Sequence, residues 1–205
     1  MKKPIKFIYF DVGGVLLDWR AGHQKVAKEY NVPYESIREV FEANWQNACR
    51  GLLSGDEYMG MFARVLGITG TLPEVADFWT DHFSVITQTH ALVAELSQTY
   101  RIGILSNAEK GSMKYAFQKG LIPKASWEVT IDSSQYGVIK PEARIYEIAE
   151  AAVNVSPDEL FFIDDVPAHI TTAESRGWKG MVFDTDDVKG SVKIIRKHLG
   201  LAAKK

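Results

Sequence analysis

The stretch "FDVGGVLLD", residues 10–18, decides how this chain is read. The residues before it, "IKFIYF" (5–10), are β-forming and mostly apolar, and they run directly into Asp11. A carboxylate at the end of a buried strand is costly unless something pairs with it. The glycine pair Gly13-Gly14 that follows lets the backbone bend sharply and come close to a ligand. Asp11 could instead cap a helix, but two glycines after a buried strand make a poor helix start.

Working outward, further β-like runs appear at "RIGILSN" (101–107), "WEVTID" (127–132), "LFFIDD" (160–165) and "KGMVFD" (179–184). Most are continuously apolar, as strands buried on both faces of a parallel sheet are. Helical patterning separates them at about 110–119, 142–153 and 168–176, and a final helix is expected over about 188–199. The alternation predicts an α/β fold with a doubly wound, parallel, Rossmann-like sheet.

Residues 18–98 carry no convincing strand. They hold helical signals instead: "GHQKVAKEY", "PYESIREVFEANWQNA", "SGDEYMGMFARVLG" and "PEVADFWTDHFSVI". Pro33 and Pro73 suit first helical turns, Gly51 and Gly67 suit helix ends, and Ser54 with Glu57 forms a capping-box pattern. So much chain exceeds one crossover helix. The expected division is a core domain of 1–17 and 89–205 with an inserted helical cap at 18–88, and the tail "AAKK" is low in complexity.

Composition narrows the function. There are 24 Lys/Arg against 26 Asp/Glu, so a whole-protein basic field for nucleic acid is absent and no nucleic-acid partner is expected. The single cysteine, Cys49, excludes a disulfide framework or a Cys-rich zinc site and reads as a small core residue. The opening "MKKPIKFIYFD" lacks the apolar stretch of a signal peptide, and no apolar run nears the roughly 18 residues of a membrane span. The expectation is a cytoplasmic monomer or homodimer with no membrane partner.

In an open α/β sheet, ligands bind outside the carboxyl ends of the strands. Asp11, Ser106, Asn107 and Asp165 should therefore converge, with Lys140, placed before Pro141 at the mouth of a helix, reaching in. Asp11 and Asp165 make an oxygen site for Mg²⁺, which takes few protein carboxylates plus substrate oxygens and water. Asp11 can also attack phosphorus. The amides at Gly13 and Gly14 can face phosphate oxygens as a nest, and Ser106, Asn107 and Lys140 supply further donors. Phosphoryl transfer needs an in-line nucleophile, a metal and fixed positive groups of this kind. The partner so implied is a small-molecule phosphate ester.

Four motifs in order, "DVGGV" (11–15), "LSN" (105–107), "KPEARIY" (140–146) and "FIDD" (162–165), make the chain resemble the haloacid dehalogenase superfamily of phosphohydrolases, in the branch with a helical cap after the first motif. "RGLLSGDEY" (50–58) and "KPEARIYEIA" (140–149) are similar to that branch's bacterial sugar-phosphate phosphatases, α-D-glucose-1-phosphate phosphatases among them. The resemblance implies strand order 3-2-1-4-5, with Asp11 as nucleophile and metal ligand and the Gly13 carbonyl as a further ligand. It implies that Ser106 and Asn107 hold the phosphoryl group, Lys140 balances charge and Asp165 ligates the metal. Asp164 then orients Lys140 or a metal-bound water.

One departure matters. Phosphatases of this superfamily usually carry a second Asp two places after the nucleophile, and this chain has Gly13 there. General acid–base help is worth about 10²–10⁴-fold, or about 3–5 kcal/mol of barrier. Three readings follow: a phosphatase working without that acid, a pseudophosphatase that only grips phosphate or a partner, or a 2-haloacid dehalogenase, against which "FIDD" argues. His23, at the entry to the cap, reads as a surface residue, with service as the missing base as the alternative. Ser106-Asn107 can also be read as a helix cap, Lys140 as a solvated lysine and His169 as helix-start packing. Trp19, Phe41, Trp45, Phe62 and Trp79 read mainly as core, while Asp18, Trp19, Arg20, His23, Asn44 and Trp45 are the residues that could face the substrate.

Overall fold

The computed structural model describes residues 4–201. The outer ends of the expected core range, 1–3 and 202–205, and with them the "AAKK" tail, lie outside the described residues. Five strands form one parallel sheet: β1 (Phe7–Phe10), β4 (Arg101–Ser106), β5 (Trp127–Asp132), β6 (Leu160–Asp164) and β7 (Lys179–Val182), in the order β5-β4-β1-β6-β7. Counted along the core, this is 3-2-1-4-5, as the motifs imply.

The apolar runs explain the layering. Side chains alternate across a strand, so Ile8 and Phe10 of β1 join Phe161 and Ile163 of β6 on one face, while Phe7 and Tyr9 join Leu160 and Phe162 on the other. The first face is covered by α5 (Thr87–Leu96), α6 (Ser112–Gln118) and α9 (Val188–His198), and the second by α7 (Ala143–Val153) and α8 (Pro167–Ser175). All four β1 residues are fully buried, which is why that strand shows no polar alternation.

Between β1 and β4 the chain builds α1 (Arg20–Glu29), α2 (Tyr34–Cys49), α3 (Gly55–Leu66) and α4 (Val75–His82). These helices pack around their own buried cluster, including Ile37, Met59, Phe62 and Trp79. The Ser54–Glu57 capping box starts α3, and Gly67, at φ 67°, ends it in the left-handed conformation. Pro33 and Pro73 do not sit inside first turns. Pro33 is the N-cap of α2, and Pro73 precedes Glu74, the N-cap of α4.

One element departs from the sequence reading. The chain enters and leaves the helical insertion through a two-stranded antiparallel ribbon, β2 (Leu17–Asp18) with β3 (Ser84–Val85), in which Asp18 faces Ser84. The sequence pattern places "FSVI" at the end of a helix. Two-residue strands carry too little periodicity to register, and their pairing exists only once distant segments meet. Among the described residues, no helix is long and apolar enough to cross a membrane.

Candidate active site

β4, β1 and β6 are neighbours in the sheet, so their carboxyl ends lie side by side. Ser106 ends β4, Asp11 follows β1, and Asp164 ends β6 with Asp165 next. Lys140 arrives from the loop before α7 and is only 2% exposed. Its ammonium has three acceptors for its three hydrogens: Leu105 O at 2.9 Å, Asp164 Oδ2 at 2.6 Å and Asp11 Oδ1 at 3.0 Å. A buried lysine is tolerated only when so paired. Burial pulls the Lys140 pKa down, but the Asp11 and Asp164 charges outweigh it and leave it raised.

The three carboxylates differ sharply. Asp164 is saturated. Besides Lys140 it accepts from Val166 N at 2.8 Å, and His169 Nδ1 lies 2.9 Å from its Oδ1. Burial raises its pKa, but the Lys140 charge and the His169 hydrogen bond reverse this and hold it at about 2. Asp11 is pushed up to about 6, first by burial and then by the charges of Asp164 and Asp165, with Lys140 opposing. Asp165 is also raised, by burial and by Asp164, against an ion pair with Arg20 at 3.1 Å.

One oxygen from each of Asp11, Asp164 and Asp165 lies within 4.8 Å of the others. The three carboxyl groups gather around the two cations Lys140 and Arg20. Asp11 Oδ2 and Asp165 Oδ1 take no hydrogen bond among the described residues, and no backbone amide there donates to the Gly13 carbonyl. Asp165 Oδ1, the Gly13 carbonyl and the Asp11 carboxylate beside them fit a small, hard divalent cation such as Mg²⁺.

The glycines now have distinct reasons. Gly14 has φ 79°, and a Cβ there would stand 2.3 Å from Asp165 Oδ2, so only glycine lets that carboxylate seat against the turn. Its amide does not face the cavity as expected. It donates to Leu17 O at 2.8 Å and holds the turn closed. At Gly13, where the acid/base Asp usually stands, a Cβ would come within 3.2 Å of Trp19 Cδ1. The indole crowds this position, so a side chain there would make it give by a few tenths of an ångström.

Asn107 is also bound differently from expectation. Its amide clasps the Lys140 backbone, accepting from Lys140 N at 2.8 Å and donating to Lys140 O at 3.0 Å. One Nδ2 hydrogen remains for a ligand. Ser106 is 2% exposed as a residue, and its hydroxyl makes only a long contact, 3.4 Å, to Asn107 O. A neighbouring hydroxyl, Ser133, joins the sheet to the insertion by accepting from Ala108 N and donating to Cys49 O.

Above these groups lies a cavity of about 190 Å³ between the sheet and the helical insertion, reached by Asp11, Gly13, Ser106, Asn107 and Asp165. Of the residues considered for its far wall, Trp19, Arg20, His23 and Trp45 line it. Asp18 instead accepts from Ala21 N in the first turn of α1, and Asn44 bonds back to Val40 O. His23 is not a surface residue. It is 2% exposed, with Trp19, Phe41 and Trp79 rings at 4.6–5.2 Å, and burial lowers its pKa to about 4. Sequence reasoning missed Glu109 altogether. It lines the cavity, is 7% exposed, and burial raises its carboxyl to about 7. A lone Glu in "NAEK" gives no signal of its own.

Solved structures share this architecture. A predicted haloacid dehalogenase-like hydrolase from Porphyromonas gingivalis superposes with a TM-score of 0.73 at 24% identity, covering 95% of this chain and 99% of that one. A haloacid dehalogenase family enzyme from Bacteroides thetaiotaomicron, solved with magnesium and inorganic phosphate, gives 0.72 at 21% identity over 88% and 95%. The chain has the haloacid dehalogenase fold. That fold extends to an L-2-haloacid dehalogenase of Xanthobacter autotrophicus, with a TM-score of 0.66 at 20% identity over 97% and 85%. By sequence, the chain is 23% identical to phosphatase MT3486 of Mycobacterium tuberculosis over 88% of each. It is also 23% identical to mouse acyl-CoA dehydrogenase family member 10, matching over 97% of its own length but spanning only 19% of that protein. No family model matches.

Proposed function

We propose that this protein is a Mg²⁺-dependent phosphatase that hydrolyses a small phosphomonoester through an aspartyl-phosphate on Asp11. The observation that carries the reading is the placement of Asp11. Its Oδ1 is fixed by Val12 N at 2.7 Å and Lys140 at 3.0 Å, while Oδ2 is left free at the floor of the cavity. A carboxylate held on one oxygen and free on the other is set up to attack. The Bacteroides enzyme with magnesium and phosphate and the mycobacterial phosphatase support the same reading.

Asp11, Asp165 and the Gly13 carbonyl would hold the ion, which supplies charge neutralisation for the phosphoryl oxygens and for the nucleophile. Asp11 Oδ2 attacks phosphorus and the ester oxygen departs on the opposite side. Ser106 Oγ, the remaining Asn107 hydrogen and the Lys140 charge stabilise the equatorial oxygens. Water then attacks the aspartyl-phosphate and releases phosphate. Asp164 and His169 keep Lys140 on its axis, and the helical insertion shields the reaction from bulk water. The alcohol leaves into a cavity with aromatic walls, which suits the sugar phosphates of the motif resemblance, because aromatic rings stack on the apolar face of a sugar.

The dehalogenase neighbour favours one second reading, displacement of halide from a 2-haloacid by the same Asp11. Phosphate release from a panel of esters, with and without Mg²⁺, tests both on wild type and Asp11→Asn. The expected result is release only with metal and only by wild type. Turnover that survives Asp11→Asn overturns the mechanism, and halide release in excess chelator establishes the second reading. Phosphate binding without any turnover makes the chain a pseudophosphatase.

A further inference from the structure

The cavity is short of positive charge. Three carboxyl groups reach it, those of Asp11, Glu109 and Asp165. Among the described residues that line it, Arg20 is the one lysine or arginine. Lys140 lies beneath, with its three hydrogens directed to Leu105 O, Asp164 Oδ2 and Asp11 Oδ1. It can offer a phosphoryl group its charge but no hydrogen bond. Backbone donors are scarce too. The amides of Val12, Gly14 and Ala108 go to Asp11 Oδ1, Leu17 O and Ser133 Oγ. A phosphoryl dianion is held most firmly by a cationic pair of parallel donors, and the floor supplies no such pair.

Arg20, the first residue of α1, has the means. A guanidinium carries five N–H donors in a flat fork. Among the described residues Arg20 spends one of them, from Nη2 to Asp165 Oδ2 at 3.1 Å. That pairing is single rather than bidentate, and the side chain is half-exposed, so little holds it there. The Trp19 indole lies under the guanidinium, its centroid 4.6 Å from Cζ, and is itself stacked on Phe41. Stacking on a fixed ring steadies the plane of the fork and leaves its edge free to turn. An oxygen of Asp165 lies within 4.8 Å of one on Asp11. A phosphoryl group seated over Asp11 is therefore a short swing from the guanidinium. With Asp165 committed to a metal ion, Arg20 loses the attraction that keeps it where it stands.

We propose that Arg20 is a phosphate clamp supplied by the helical insertion, its guanidinium leaving Asp165 to take two oxygens of the phosphoryl group. Lys140 then balances charge from below, and Arg20 supplies the paired hydrogen bonds from above. This rests on the phosphatase reading and adds a phosphate-binding residue to it.

The test titrates inorganic phosphate calorimetrically into wild type, Arg20→Lys and Arg20→Ala, each saturated with Mg²⁺. Mg²⁺ alone is titrated into each protein alongside. Arg20→Ala should bind phosphate at least about 10-fold more weakly than wild type, while its affinity for Mg²⁺ holds or rises. Arg20→Lys should fall between the two, because an ammonium keeps the charge but not the fork. A wild type that binds no phosphate, a smaller loss in Arg20→Ala, a loss accompanied by weaker Mg²⁺ binding, or an Arg20→Lys variant equal to wild type would each overturn the assignment. Hydrolysis of p-nitrophenyl phosphate by wild type, with and without Mg²⁺, serves as a separate arm. Metal-dependent release there upholds the phosphatase reading whichever way the phosphate titration falls.

Discussion

Asn107 grips the Lys140 peptide from both sides, its Oδ1 on the Lys140 amide and its Nδ2 on the Lys140 carbonyl. A motif residue expected to touch phosphate is thus first a clamp on Lys140, and its loss should show in the fold as well as in the rate. Asn107→Ala should lower stability by about 2 kcal/mol through two lost hydrogen bonds. Asn107→Asp should lower it further, because a carboxylate oxygen would then face the Lys140 carbonyl. Urea unfolding distinguishes the two, and both variants should lose kcat.

Arg20 competes for the metal site. Its guanidinium lies 3.1 Å from Asp165 Oδ2, and 46% of its side chain is exposed. Arg20→Ala should strengthen Mg²⁺ binding several-fold, since removing one charge near a divalent ion is worth about 1 kcal/mol in a wet site. Calorimetric titration of the protein with Mg²⁺ reads this directly. Asp165→Asn should weaken the same titration.

Gly13 itself offers no acid to protonate the leaving oxygen, and Trp19 Cδ1 would stand 3.2 Å from a Cβ placed there. Rates should therefore fall steeply as the leaving group becomes less acidic, with alkyl esters behind aryl esters by about 10²–10⁴-fold. A linear free-energy plot over substituted phenyl and alkyl phosphates measures the slope. Gly13→Asp alone should not flatten it. Paired with Trp19→Ala, which clears the space, it should.

Glu109 makes stability depend on pH. Its carboxyl titrates near 4.5 when solvated and about 7 in the folded protein, chiefly because of burial, with Asp132 adding to the rise and its own backbone amide opposing it. Below pH 4.5 both states hold the proton and nothing is lost. Between 4.5 and 7 the folded state keeps a proton the unfolded state has released, so stability falls as pH rises, by up to about 3 kcal/mol. Above 7 the cost is fully present. Glu109→Gln should remove it. Chemical denaturation should show the variant gaining on wild type from pH 5 to pH 8 and matching it near pH 4.

Much of this was legible in the sequence. The strand runs at 101–107, 127–132 and 160–165 announced themselves because strands buried on both faces need unbroken apolar residues, and the polar groups at their ends marked the site. What stayed hidden depends on contacts between distant segments. His23 is buried because Phe41 and Trp79 come from other helices to enclose it. Glu109 is perturbed because the cavity closes over it. The Gly14 amide turned inward because Leu17 O reaches it. None of these leaves a periodic trace in the chain.

The pairing of Asp18 with Ser84 has a consequence for how the molecule is assembled. Chain enters and leaves the helical insertion through one doorway, two strands wide, so the points of departure and return lie within about 5 Å of each other. Everything from 19 to 83 hangs from that threshold as a loop hangs from a hairpin. A scaffold joined this way is nearly indifferent to the size of what it carries, and the aromatic wall can be exchanged while the charged floor is left as built.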